Sequence, residues 1–318
     1  MDYLLSIIIP EYNQNYVYLK QCLDSIFLRQ QDVDFRRIQV ILVKDSLEDD
    51  ITDFYRYPIE VLQTTGHTGC GIARQIGLNA ATGEWIYFID SDDYLLTPQS
   101  LRYRIKEIEA HPEALRFNFS YLRENDYTVQ TYGLNALYGS IYKRSLINKY
   151  GLHFLPERER YEDVAFVSTY SYLVGFENIH SSTTFPIYYY RDNDNSITKI
   201  NQPAGYYGKM DLWSMNYTIR TLMKEHVAVP DSVYQFWIFR LTREMASADF
   251  KAILGNYLSE EDRHNFNWIR KQAGEVWART TEEQYQGVKK AFDGLIKPGQ
   301  YPQLDSIAAI VELCKVRL

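Results

Sequence analysis

Asp90, Ser91, Asp92 and Asp93 stand directly behind the run Trp85-Ile86-Tyr87-Phe88-Ile89. That run is apolar, aromatic or β-branched throughout, as a strand buried on both faces should be. Three carboxylates at the end of a buried strand repel one another and shift their titration unless a cation neutralises them. A hard divalent cation takes oxygen ligands and keeps places for substrate phosphates. The cluster therefore predicts a metal and a phosphorylated ligand at one edge of a sheet. A lone Asp there would read as a solvated turn; D-S-D-D reads as a site.

The elements that must position this cluster alternate. Leu4–Ile9 and Ile38–Val43 are apolar enough for buried strands, Ile59–Leu62 is a short third, and Trp85–Ile89 the fourth. Between them Tyr16–Phe27 places Leu19, Leu23, Ile26 and Phe27 on one helical face, and Cys70–Ala81 aligns Ile72, Ile76 and Ala80 before stopping at Gly83. This βαβ rhythm implies an α/β fold with a mostly parallel sheet covered by helices. Ligands of such sheets bind at the carboxyl ends of strands, where Asp45 and Asp90–Asp93 fall. Further on, Gln99–His111 and Val164–Val174 read as helices, and Arg116–Tyr121, Ala136–Tyr142 and Thr184–Arg191 as strands. From residue 206 long helical patterns dominate: Tyr207–Lys224, Ser232–Leu254, Ser259–Trp277, Glu282–Leu295 and Gln303–Val316, the last with a stripe of Leu304, Ile307, Val311 and Cys314. The expected organisation is a nucleotide-binding catalytic domain over 1–205 and a helical region over 206–318.

A chain of 318 residues with 46% hydrophobic content can bury a full core. Its net charge of −7, without a basic block, disfavours nucleic acid as partner. The cysteines Cys22, Cys70 and Cys314 are odd in number and widely spaced, which fits a reducing cytoplasm better than a disulfide framework. The N-terminus reads as a first strand and not a signal peptide, and no apolar run approaches the roughly 20 residues of a membrane span. The 28 tyrosines suit either sugar-facing surfaces or a hydrogen-bonded core. Gly66, Gly69 and Gly71 do not match the dinucleotide fingerprint, because Arg74 takes the place of its third glycine.

Several segments, in order, resemble family 2 glycosyltransferases, of the kind that build bacterial cell-surface or capsular polysaccharides. They are Ser6-Ile7-Ile8-Ile9-Pro10-Glu11-Tyr12-Asn13, Cys22-Leu23-Asp24-Ser25-Ile26, the stretch from Gly69 through Arg74 and Gly77 to Ala81-Thr82-Gly83-Glu84-Trp85, the D-x-D-like Asp90-Ser91-Asp92-Asp93, Tyr161-Glu162-Asp163, and Tyr188-Tyr189-Tyr190-Arg191 through Ser196. The resemblance covers about residues 3–200. It implies a GT-A fold, a nucleotide-sugar donor, a divalent metal (Mn2+ or Mg2+) and inversion at the anomeric carbon.

Carried onto these residues, the resemblance makes Asp92 the direct metal ligand. Asp90 holds metal-bound water or the ribose beside Ser91, and Asp93 supports them or caps a helix. Inversion needs a base opposite the leaving group. Asp163 is the candidate, with Glu162 orienting acceptor or base; the alternative is that both acids only cap a helix start. Asp45 would accept from uracil, framed by Pro10, Glu11 and Tyr12, although Lys44 replaces the second acid common in the family. Arg74 faces the diphosphate or pairs with Asp90 or Asp92. Arg191 and Ser196 belong to a loop, Asp192–Lys199, read as either a closing flap or plain surface. His67 stands where the family often shows Asn, and a lone His is more often structural. The implied donor is a UDP-sugar and the acceptor a hydroxyl of a glycan, glycolipid or glycoprotein. Left open are a catalytically silent binding module, a role for the C-terminal helices in homo-oligomers or at a membrane surface, and plain packing of those helices.

Overall fold

The computed structural model describes residues 3–12, 15–29, 32–47, 50–124, 129–130, 137–155, 162–182, 186–193, 206–245, 260–291 and 305–315. The chain forms two compact units, Met1–Ile200 and Asn201–Leu318.

The first unit is built on strands β1 (Leu5–Glu11), β2 (Ile38–Lys44), β3 (Glu60–Gln63) and β4 (Trp85–Phe88), with helices α1 (Tyr16–Phe27) and α2 (Cys70–Ala80) between them. Then come β5 (Tyr94–Leu95), α3 (Ser100–Ala110), β6 (Arg116–Phe119), β7 (Tyr121–Arg123), β8 (Val129–Gln130), β9 (Ser140–Lys143), α4 (Arg144–Tyr150), α5 (Glu162–Val174), β10 (Ile179–Ser182) and β11 (Tyr188–Tyr190). One sheet has seven strands in the order β10-β6-β9-β4-β1-β2-β3. Only β9 runs antiparallel to its neighbours, β4 and β6. A second sheet orders β5-β11-β7-β8.

Every residue of β1 and β4 is buried, as expected of strands covered on both faces. Two glycines let neighbours approach β1. A Cβ on Gly77 of α2 would lie 2.4 Å from Ile8 Cγ2, and one on Gly83 would lie 2.5 Å from the Ser6 nitrogen. The buried Ser6 hydroxyl is satisfied by donating to Gln39 Oε1 at 2.7 Å and accepting from the Gly83 N–H at 2.8 Å. Helix α1 starts where the Asn15 side chain accepts from the Val17 N–H.

The expected strand Arg116–Tyr121 is two strands in different sheets. The chain changes sheet at the buried Ser120, whose carbonyl accepts from the Ile187 N–H. Within the expected strands at 136–142 and 184–191 the described residues give β9 from Ser140 and β11 over Tyr188–Tyr190, while 136, 184 and 185 lie outside the described residues; α4 has no counterpart in the sequence pattern. Helix α5 starts two residues earlier than its apolar pattern, so Glu162 and Asp163 form its first turn. Tyrosine serves the core: Tyr87, Tyr142, Tyr170 and Tyr188 are among the largest fully buried side chains. Tyr87 accepts a bond from buried Arg104 at 2.6 Å, with the guanidinium 4.4 Å above its ring.

The second unit contains helices α6 (Tyr206–Lys224), α7 (Asp231–Met245), α8 (Glu260–Ala278), α9 (Glu282–Ala291) and α10 (Ile307–Lys315). Trp237 and Trp277 are fully buried, whereas Trp268 is half exposed. Helix α10 buries Ile310 and Cys314, and Arg270 donates to the Cys314 carbonyl at 2.6 Å. The parts of the expected helices at 246–254 and 292–295, with Leu304, lie outside the described residues. Among the described residues, no helix is long and apolar enough to cross a membrane.

Candidate active site

Strand β4 delivers the acidic turn at its carboxyl end, beside the end of β1. The Ile89 N–H donates to the Ile8 carbonyl at 3.1 Å, and the Asp93 N–H closes the turn on the Asp90 carbonyl at 3.0 Å. The carboxylates then diverge in role. Asp93 is buried and accepts from the Tyr188 hydroxyl at 2.6 Å and from the Arg191 N–H at 2.8 Å. It caps no helix; it ties the turn to β11. Burial, then Asp92 and Asp90, push its carboxyl well above the usual range. Asp90 and Asp92 keep part of their surface exposed. Burial and the Asp90 charge also raise Asp92, against the Asn193 amide, which donates to its Oδ2 at 3.0 Å.

Arg74 of α2 connects this turn to the second acid pair. Its Nη2 donates to Asp90 Oδ1 at 2.7 Å and its Nη1 to Glu162 Oε1. Burial alone would lower the guanidinium, but Asp90, Cys70 and Glu162 hold it well above its ordinary value. The Cys70 thiol also donates to Glu162 Oε1, at 3.1 Å. Gly71 leaves room for this contact, since a Cβ there would lie 3.0 Å from Glu162 Cγ. Asp163, next in α5, accepts from the Val164 N–H at 2.8 Å. Burial first, then the neighbouring Glu162 charge, raise its carboxyl to about 7, with Arg74 opposing. A carboxylate so tuned can take a proton near neutral pH.

Five carboxylates (Asp90, Asp92, Asp93, Glu162, Asp163) thus meet two guanidiniums, Arg74 and Arg191. Such a site repels a diphosphate unless a cation intervenes. The partly exposed oxygens of Asp90 and Asp92 are hard donors suited to a divalent metal, so the donor set fits one. Burial and mutual repulsion at Asp92 and Asp93 point the same way.

Arg191 directly follows β11, beside the acidic turn. Its Nε donates to the Asp92 carbonyl at 2.7 Å, its Nη2 to Gln21 at 2.6 Å, and its guanidinium lies 4.1 Å above the Tyr18 ring. It braces the acid turn. Ser196 and the loop from 194 onward lie outside the described residues. Ser91 is buried within the turn.

At the neighbouring strand ends, Pro10 and Glu11 are buried in β1, and the Glu11 carbonyl accepts from the Asp45 N–H at 2.7 Å. The Asp45 carboxylate is 2% exposed and organises the β3–α2 turn. It accepts from the Thr64 hydroxyl (2.8 Å), the Thr68 N–H and hydroxyl (2.9 and 2.6 Å) and the Gly69 N–H (2.7 Å). An exposed ring pair lies over it: Tyr12 stacks on His67 with centroids 3.8 Å apart, and His67 Nδ1 is 3.5 Å from Asp45 Oδ2. Cys70, Tyr188 and Asn193 carry no local signal for their contacts with Glu162, Asp93 and Asp92. Only the chain path, 92 residues from Cys70 to Glu162 and 101 from Asp92 to Asn193, brings these partners together.

Comparison with known proteins follows the same lines. EpsH of Bacillus subtilis, a putative glycosyltransferase, is 27% identical over 242 residues, covering 67% of each chain. The poly(ribitol-phosphate) beta-glucosyltransferase of Bacillus spizizenii is 25% identical over 243 residues, 65% of this chain but 36% of that protein. A glycosyltransferase of Haemophilus influenzae is likewise matched over only 38% of its length. Among solved structures, S. aureus TarS 1-349 in complex with UDP-GlcNAc superimposes with a TM-score of 0.64 at 19% identity, over 97% of this chain and 88% of that one. The fold is therefore the GT-A fold that the family resemblance implies. The description Glycosyl transferase family 2 matches residues 6–170, the stretch that holds β1, the acidic turn and the Glu162-Asp163 pair, and the chain belongs to that family.

Proposed function

We propose that the chain is an inverting glycosyltransferase that moves a sugar from a UDP-sugar to a hydroxyl of a glycan, glycolipid or glycoprotein, with Asp163 as base and a divalent metal at Asp92 and Asp90. The observation that carries this reading is the single guanidinium of Arg74 joining Asp90 to Glu162. It couples the metal-ligand turn to the acid pair that must face the acceptor.

Asp92 and Asp90 would hold a Mn2+ or Mg2+ ion, which as a Lewis acid offsets the charge growing on the leaving diphosphate. Asp163 takes the acceptor's proton while that oxygen bonds to the anomeric carbon and the bond from that carbon to the diphosphate oxygen breaks. Glu162, fixed by Arg74 and Cys70, keeps Asp163 and the acceptor in line. Tyr12 and His67 offer aromatic faces to the nucleobase, over the turn that Asp45 organises. TarS, whose structures carry UDP and UDP-GlcNAc, supports a uridine nucleotide. The poly(ribitol-phosphate) beta-glucosyltransferase, named for a hydroxyl-bearing polymer, supports a hydroxyl acceptor.

The test is a panel of UDP-sugars with Mn2+ and polyol or glycan acceptors, the product's anomeric configuration being read by NMR. Transfer with inversion is expected. Tight UDP binding with neither transfer nor donor hydrolysis would instead identify a silent binding module.

A further inference from the structure

Glu107 and His111 lie one helical turn apart at the end of α3, so their side chains share a face. That face meets His180, the second residue of β10 at the sheet's edge. One carboxylate oxygen and two imidazole nitrogens lie there within 4.8 Å of one another. His180 Nε2 is 2.9 Å from Glu107 Oε2. The two imidazole rings stack, with centroids 3.8 Å apart and planes at 24°.

We propose that Glu107, His111 and His180 form a binding site for a borderline divalent cation of the Zn2+ type, separate from the nucleotide-sugar site. Two imidazoles and one carboxylate are a donor set that zinc accepts, with solvent in the fourth position. Tetrahedral bonds of about 2.0–2.1 Å hold ligand atoms about 3.3 Å apart, so binding requires the two stacked rings to rotate apart until their in-plane lone pairs converge on the ion. The helix end is already ordered, since the His111 N–H donates to the Glu107 carbonyl at 3.0 Å. An outer carboxylate is in place too: Glu113 Oε1 lies 3.4 Å from His111 Nδ1, which leaves Nε2 for the ion. All three side chains reach solvent, with 19–35% of their surface exposed, so an ion can enter.

The register places the site away from the acidic turn. His180 is level with Phe117, Phe117 with Ile141, and Ile141 with Tyr87. His180 is therefore three strands from β4, about 14 Å, and three residues short of Asp90, about 10 Å along the strand. Nitrogen ligands also distinguish the two sites, because hard Mg2+ or Mn2+ prefers the all-oxygen turn. The bound ion would tie the end of α3 to edge strand β10.

The test is calorimetric titration of EDTA-stripped protein with ZnCl2, together with thermal unfolding with and without Zn2+. An Asp92→Asn variant should still bind Zn2+ at this site with unchanged affinity. Glu107→Gln, His111→Gln and His180→Gln should each weaken it at least 10-fold and abolish the Zn2+-induced rise in Tm. Should His180→Gln fail to fold, the two variants on the helix end carry the same test. The proposal is overturned if wild-type protein shows no saturable Zn2+ binding, if Glu107→Gln and His111→Gln bind as wild type, or if Asp92→Asn alone removes the binding.

Discussion

Replacing Asp163 with Asn should abolish transfer and yet make the metal-free protein more stable at high pH. The Asp163 carboxyl is raised from 3.8 to about 7 by burial and by Glu162. The folded protein therefore keeps a proton that the unfolded chain loses near 3.8. Between those two values the native state binds more protons, so stability is fully present at the acidic end and falls as pH rises toward 7. The whole displacement corresponds to at most ~4 kcal/mol. Sharing of charge with Glu162 and Arg74, and water reaching the partly exposed carboxyl, reduce the expected penalty to about 1–2 kcal/mol at pH 8. Asn keeps an oxygen for the Val164 N–H, so the helix start is preserved. Urea unfolding in EDTA at pH 4.5 and pH 8 checks this. The variant should match wild type at the lower pH and exceed it at the higher. In parallel, Asp163→Asn should leave UDP affinity within about threefold while transfer falls at least 10³-fold, as for loss of an essential base. Equal stability gaps at both pH values would refute the electrostatic reading, and an active variant would refute the base assignment.

Arg74→Met should destabilise by about 3–5 kcal/mol, since it leaves Asp90 and buried Glu162 without their shared cation; denaturant midpoints report it, and a loss under 1 kcal/mol would show that the pair is not coupled as described. Gly71→Ala places a methyl 3.0 Å from Glu162 Cγ and should lower kcat by about 10–100-fold through displaced positioning, with KM for the donor little changed; unchanged kcat would remove Glu162 from the reaction. Gly77→Ala meets Ile8 Cγ2 at 2.4 Å and should cost about 1–3 kcal/mol by overpacking, which thermal unfolding will show. Asp92→Ala should remove the metal dependence of UDP binding measured by calorimetry, and an unaltered Mn2+ requirement would exclude Asp92 as ligand.

Local signals sufficed wherever the chemistry lay within one segment. Apolar runs bounded by turn residues marked β1, β2 and β4, because a strand buried on both faces needs apolar side chains throughout. The acids behind β4 marked the site, because charge at such a strand end needs a partner. Patterns were weaker for short strands. Arg116–Tyr121 reads as one extended run, and only packing decides that Phe119 ends in one sheet and Tyr121 begins another. Tyrosine content was ambiguous until the fold assigned Tyr188 to Asp93 and Tyr87 to Arg104.

By itself, then, the sequence determined the alternating α/β architecture and the acidic turn, and its family resemblance added the candidacy of Glu162-Asp163. Each follows from neighbours along the chain. Tertiary structure alone decided how those acids divide the work. Asp93 became a strut because Tyr188 and the Arg191 backbone reach it from 95 and 98 residues away. Asp45 became the anchor of a turn because Thr64, Thr68 and Gly69 surround it. Arg74 joined the two acid pairs because α2 lies between them, and Glu107, His111 and His180 met because α3 ends beside β10. Burial and partner distance set a carboxylate's role, and neither is written in any single segment.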